Sequence, residues 1–164
     1  TTFDEDIREV EFDPAAYEVK GREQEEASAL LLGRVSYEEF LPHWPSMREF
    51  ARYNAMPKYV VSTTLMHTDP SWQPTTILTS VEEVRDLRDA TDGTILVHGS
   101  ARLAQSLAAA DLVDHYTLLT FPVLLGTGKR LFADGGATPK LRLTGHATYA
   151  NGIQLAEYDV VRDG

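Results

Sequence analysis

Ile95–Leu107 reads ILVHGSARLAQSL, an apolar run that breaks at His98-Gly99-Ser100 and continues in a helical pattern. Two earlier stretches share that plan: LLGRVSYEEF at Leu31–Phe40 and KYVVSTTL at Lys58–Leu65. Each reads as a buried strand ending in small or hydroxyl residues. The Leu31 and Ile95 stretches then run straight into helices. A strand–Gly–helix junction brings backbone N–H groups and the positive end of a helix dipole to one place, which suits a phosphate. Three such ends in one short chain imply a single extended, phosphorylated ligand lying across a sheet edge.

The surrounding sequence supplies the rest of the sheet. Asp13-Pro14 has the form of an N-cap followed by proline at the first helical position, and predicts a helix over Pro14–Glu26 despite Gly21. Thr1–Asp13 is acidic and reads as a surface segment or a short helix. Ser36–Phe40 predicts a helix ended by Pro42 and Pro45. Ser46 with Glu49 predicts a further, capped helix to Asn54, and Ser80 with Glu83 another to Ala90. Strands are expected at Ala29–Leu32, Tyr59–Ser62, Thr76–Leu78 and Thr94–Val97, with a helix at Ser100–Ala109. Val113–Val123 is a long β-rich segment. Leu141–Ala147 and Ile153–Val161 read as an antiparallel pair joined at Asn151-Gly152. Strand and helix alternate through two-thirds of the chain, and strands alone follow. That order predicts a mostly parallel sheet with helices on both faces and an antiparallel edge.

Bulk composition narrows the function classes. The 164 residues suit one domain, with 43% apolar and 24% charged residues. Cysteine is absent, which excludes disulfides, thiol catalysis and cysteine-ligated metal. A net charge of −10 disfavours nucleic acid as a partner. No apolar run reaches the roughly 18 residues of a membrane span, and the expected location is the cytoplasm. The five histidines, at 43, 67, 98, 115 and 146, lack metal-ligand spacing. Gly126-Thr127-Gly128-Lys129-Arg130 lacks the spacing and the hydroxyl of a P-loop, and reads as a turn or a loop near the substrate.

Four stretches in order, LLGRVSYEEF, MPKYVVSTTL, LVHGSARLAQSL and DLVDHYTLLTFPVLLGTGKRLF, resemble the dihydrofolate reductase-like superfamily over roughly Ala27 to Val161. The resemblance is to its riboflavin-biosynthesis (deaminase-reductase) C-terminal domain branch, which includes many small bacterial proteins. It implies a three-layer α/β/α sandwich and NADPH-dependent reduction of a pterin-, pyrimidine- or flavin-like heterocycle. By the resemblance, Gly33, Arg34 and Ser36 would hold cofactor phosphate. Ser62, Thr63 and Thr64 would lie near the adenosine ribose and its 2′-phosphate. Gly99, Ser100, Ala101 and Arg102, after His98, would receive the pyrophosphate, with Leu103 beneath. Pro122, Gly126 and Gly128 match the strand and loop that close the substrate site. Pairing of two copies through the apolar stretch Tyr116–Leu125 is expected as well.

The chain also departs from that pattern. The family opens on a central strand followed by a Ser/Thr-x-Asp-Gly loop, whereas this sequence opens TTFDEDI, so a first strand is expected to be missing from the stretch given. Thr63 stands where many relatives carry Arg, leaving Lys58 or Arg34 to supply charge for a 2′-phosphate. Tyr37, Phe40, Trp44, Phe50 and Tyr53 cluster around the proline break and form either core or a pocket wall for a flat substrate. No catalytic residue stands out, since Glu18, Glu23, Glu25 and Glu26 all fit a solvated helix face. A ligand-binding module without turnover is the alternative reading.

Overall fold

Parallel pairing follows from the short apolar strands and the long connections between them, and antiparallel pairing from the closing hairpin. Both are found in the computed structural model, which describes residues 14–136 and 138–163. The acidic opening segment and the Asp13 cap lie outside the described residues. Among those described, four parallel strands form one sheet and three antiparallel strands another. The chain divides into two compact units, Arg22–Asp111 and Thr1–Gly21 with Leu112–Gly164.

The Arg22–Asp111 unit begins within α1 (Pro14–Glu26), which Gly21 does not interrupt. Then come β1 (Ala27–Gly33), α2 (Arg34–Phe40), 3-10 turns at Trp44–Ser46 and Arg48–Phe50, and α3 (Ala51–Ala55). It continues with β2 (Lys58–Val61), β3 (Thr75–Leu78), α4 (Val81–Ala90), β4 (Thr94–Val97) and α5 (Ala101–Ala109). The strand order is β3-β2-β1-β4. Leu30, Leu31 and Leu32 of β1 are 0–1% exposed, as expected for a central strand covered on both faces. Each buried leucine stabilises the unit by about 1.5–3 kcal/mol. The helix expected over Ser46–Asn54 is instead two 3-10 turns and the five-residue α3. The Ser46 hydroxyl donates to the His43 carbonyl at 3.0 Å rather than capping a helix. The Ser80 cap does form: its hydroxyl accepts the Glu83 N–H at 3.2 Å, while the Glu83 carboxylate accepts the Thr79 N–H at 2.6 Å.

The core of this unit is aromatic. Trp44 stacks on Phe40 at 4.4 Å, lies 4.4 Å from Phe50 and 5.4 Å from Tyr53, and meets Trp72 edge-on at 6.0 Å. Tyr37 stacks on Trp72 at 5.7 Å, and its hydroxyl accepts the Asp69 N–H, which fastens the loop after β2. Trp72 is 1% exposed and donates its indole N–H to Asn54 Oδ1 at 2.7 Å.

In the other unit, β5 (His115–Thr120), β6 (Lys140–Thr148) and β7 (Gln154–Val161) have the order β5-β7-β6. The β-rich segment expected at Val113–Val123 narrows to β5. The hairpin turns at Asn151-Gly152, where Gly152 has φ 90° and Asn151 Oδ1 accepts the Ile153 N–H. The ladder shifts register between Leu143 and Gly145 of β6. A Cβ at Gly145 would lie 2.7 Å from Glu157 Oε2 on β7, so glycine leaves room for that carboxylate.

Candidate functional site

Parallel strands all finish at one edge, and the register fixes how their ends line up. Gly33 of β1 pairs with Val61 of β2, and Leu31 of β1 with Val97 of β4. Ser62 therefore leaves the sheet beside Gly33 on one flank, and Gly99-Ser100 leaves beside it on the other. The three ends singled out in the sequence meet along one edge of this unit.

Their donors are not equally accessible. The Gly33 N–H donates to Ser100 Oγ at 3.1 Å, and Ser100 Oγ lies 2.6 Å from Ser36 Oγ. A Cβ at Gly33 would sit 2.8 Å from Ser100 Oγ, which explains the glycine. The Ser62 N–H donates to the Leu78 carbonyl at 2.9 Å, and its hydroxyl accepts from the Thr64 and Leu65 N–H groups at 3.1 and 2.9 Å. Two of the three main-chain amides expected to grip a ligand are thus taken within the protein. Thr63 and Thr64 are exposed at the same edge.

The Gly99 end differs. Gly99 has φ 69° and is exposed, and Ser100 follows with φ 61° and ψ 72°. Two successive left-handed residues turn the chain sharply into α5. The Ser100 hydroxyl, directed to Gly33 and Ser36, makes no cap bond to α5, and the first turn of α5 holds no acid. The α5 N-terminus therefore keeps its positive dipole end with neither an N-cap bond from Ser100 nor an acid in its own first turn. Leu103 is buried beneath this turn, and Arg102 is exposed on it.

Several expected site residues serve other roles. Arg34 pairs with Glu38 at 2.7 Å along the exposed side of α2. Lys58 cannot reach a phosphate at this edge: it starts β2, at the opposite end, and is 1% exposed. Its ammonium donates to the carbonyls of Asn54 at 2.7 Å, Met56 at 3.0 Å and Tyr53 at 3.5 Å, and lies 5.5 Å over the Trp72 ring. Burial lowers its pKa from 10.5 to about 8. Tyr37 and Trp44, expected against a flat substrate, are 2% and 8% exposed and belong to the core, because Trp72 and its loop cover them. Phe40 is half-buried against that core. His98 lies edge-on to Trp44 at 5.6 Å, Tyr53 at 5.9 Å and Phe40 at 6.5 Å. Burial, with Glu23 adding a smaller effect, raises the Tyr53 phenol well above its ordinary range. The Tyr53 hydroxyl is buried without a hydrogen-bond partner. Of the α1 carboxylates, Glu18, Glu25 and Glu26 are exposed and Glu23 half-buried.

Sequence reasoning missed Trp72 as the organising ring. Its signal was a tryptophan between Pro70 and Pro74, where loop composition hid a core residue. Pro122, Gly126 and Gly128 are exposed in the loop after β5 of the other unit, with φ 75° at Gly126 and 154° at Gly128. Among the described residues no cluster of three or more His, Cys, Asp or Glu could hold a metal ion. No described helix is long and apolar enough to cross a membrane.

This arrangement has counterparts among known proteins. A 78-residue stretch, 48% of this chain, is 32% identical to the uncharacterized protein YyaP of Bacillus subtilis (strain 168) and spans 42% of that protein's length. A pyrimidine reductase-like protein from Corynebacterium diphtheriae superposes with a TM-score of 0.69 at 14% identity, covering 92% of this chain and 83% of that one. The diaminohydroxyphosphoribosylaminopyrimidine deaminase/5-amino-6-(5-phosphoribosylamino)uracil reductase of Thermotoga maritima gives 0.67 at 15% identity, covering 91% of this chain and 49% of the larger protein. Dihydrofolate reductase from Enterococcus faecalis, complexed with NADP(H) and RAB-propyl, gives 0.58 at 13% identity over 88% of this chain and 82% of the enzyme. The fold is thus dihydrofolate reductase-like, a mixed α/β architecture. The family model for the RibD C-terminal domain matches residues 4–155, and the chain belongs to that family.

Proposed function

We propose that the chain is an NADPH-dependent reductase of a pterin-, pyrimidine- or flavin-like heterocycle. The observation that carries the reading is the β4–α5 junction. A nine-residue helix without a side-chain cap or an acid in its first turn begins where a parallel strand ends, beside Gly33 of the next strand. Ligands of open parallel sheets bind at such strand ends. The relatives' descriptions, two of them reductases and one complexed with NADP(H), support the same class.

The residues fit the dinucleotide best at α5. Gly99, Ser100, Ala101 and Arg102 would hold the pyrophosphate, and the exposed Thr63 and Thr64 hydroxyls would take the ribose. Arg34 would face a 2′-phosphate by releasing Glu38. The bound dinucleotide supplies the hydride; the chain's part is to bind and orient it. Pairing of two copies through Tyr116–Leu125 and a cytoplasmic location belong to the same proposal.

One observation favours a second reading, a binding module without turnover. With Tyr37 and Trp44 buried, those rings offer no flat face to an acceptor. NADPH titration followed by oxidation assays with dihydropterins and aminopyrimidine riboside analogues separates the two. Micromolar NADPH binding with oxidation by an acceptor is the expected result. Binding without oxidation selects the module, and absence of NADPH binding removes both.

A further inference from the structure

We propose that the Ser100 hydroxyl is a built-in stand-in for a ligand phosphate oxygen, one that the ligand must displace, so that Ser100 sets the affinity of the site. The inference rests on the dinucleotide reading above. A phosphate oxygen at a strand–helix junction takes backbone N–H and hydroxyl donors. Here one side-chain oxygen already takes the backbone donor and sits within reach of the hydroxyl: Ser100 Oγ accepts the Gly33 N–H at 3.1 Å and shares a hydrogen bond of 2.6 Å with Ser36 Oγ, in which either hydroxyl can donate.

Three features mark that oxygen as a competitor rather than a filler. Ser36 is 7% exposed, and its hydroxyl bonds that of Ser100. Ser100 holds this position from a left-handed backbone, φ 61°, a conformation that disfavours residues with a Cβ. The same hydroxyl, in the usual N-cap role, would bond the first-turn amides of α5, and it does not. Serine at this position thus closes the β1 donor and leaves the helix donors open. An anion settling on α5 gains the Gly33 and Ser36 donors only when Ser100 rotates away.

This predicts that deleting the hydroxyl tightens binding. Ser100→Gly removes both the competitor and the left-handed strain; Ser100→Ala removes the competitor alone. One displaced hydrogen bond corresponds to roughly three- to tenfold in affinity. Calorimetric titration of the whole chain with NADPH, inorganic pyrophosphate and adenosine tests it, with circular dichroism confirming the fold of each variant. The expected result is roughly three- to tenfold tighter NADPH and pyrophosphate binding in both Ser100 variants, unchanged adenosine binding, and weaker NADPH binding in Ser36→Ala. Unchanged or weaker NADPH binding in both Ser100 variants overturns the proposal while leaving the dinucleotide reading in place. Tightening for pyrophosphate without NADPH binding keeps the competitor and removes the dinucleotide. Failure of every variant to bind either probe overturns both.

Discussion

The two edges of the parallel sheet treat helix ends in opposite ways. At the edge where β2 begins, the α3 C-terminus presents carbonyls, and Lys58 meets them from inside the core with its ammonium. At the edge where β4 ends, α5 presents amides that the N-cap Ser100 hydroxyl does not cap. One edge is neutralised by the protein's own cation. The other has no acid in its first turn, and an electropositive helix end of that kind attracts an anion from solution. The difference teaches where to look for a ligand: where the fold has left its own backbone charge uncompensated.

The largest effect should come from placing a charge at the uncompensated edge. Gly99→Asp sets a carboxylate where the pyrophosphate would lie. NADPH affinity should fall at least about a hundredfold, with a stability loss of about 1 kcal/mol because Asp tolerates the left-handed backbone. Room exists for it, the nearest atom to a Cβ there being Ser36 Oγ at 3.7 Å. Unchanged affinity by fluorescence titration would break the comparison at its active end.

Removing the cation from the compensated edge comes next. Lys58→Met orphans carbonyls at about 1 kcal/mol each, and relief of the buried charge returns part of that. A net loss of about 2 kcal/mol is expected in urea unfolding at neutral pH, with NADPH affinity unaffected. Gly33→Ala should cost about 1–2 kcal/mol, since its Cβ would press on a hydrogen-bonded Ser100 Oγ at 2.8 Å. Adding Ser100→Gly to that variant should restore most of the loss. No restoration in the double mutant would show that another contact sets the need for glycine.

A last test concerns pH. Lys58 titrates at about 8 when folded against 10.5 when unfolded. Between those values the unfolded chain binds more protons, so the buried-charge penalty, fully present below about pH 8, fades as pH rises towards 10.5. Unfolding free energy should climb across that window in the native chain relative to Lys58→Met. Parallel pH curves for the two proteins would show that the three carbonyls offset the burial.

Much of this was legible in the sequence where a local rule acts alone. The apolar run of β1, the Ser80–Glu83 cap and the Asn151-Gly152 turn follow from patterns a few residues long. The alignment of Gly33, Ser62 and Gly99 at one edge followed from parallel strands sharing a direction. What stayed hidden depends on residues far apart in the chain. Gly33 and Ser100 are 67 residues apart, and the Ser100 hydroxyl takes the Gly33 amide that the sequence left to a ligand. Lys58 read as one of two candidate charges for a 2′-phosphate because lysine is rarely buried, and nothing local announced the α3 carbonyls that hold it. The aromatic residues around Pro42–Pro45 read equally as core or pocket wall until Trp72 settled the matter.

The strand order carries a consequence for synthesis. β1 has β2 on one side and β4 on the other, and β4 begins only at Thr94. A growing chain that has emerged through α4 can pair β1 with β2 and β2 with β3. The other rim of its Leu30–Leu32 run meanwhile waits, bare, for a partner about sixty residues downstream, and an unpaired apolar rim invites association with other nascent chains. The arrival of Thr94–Val97 is therefore the moment at which the second rim of β1 gains its partner.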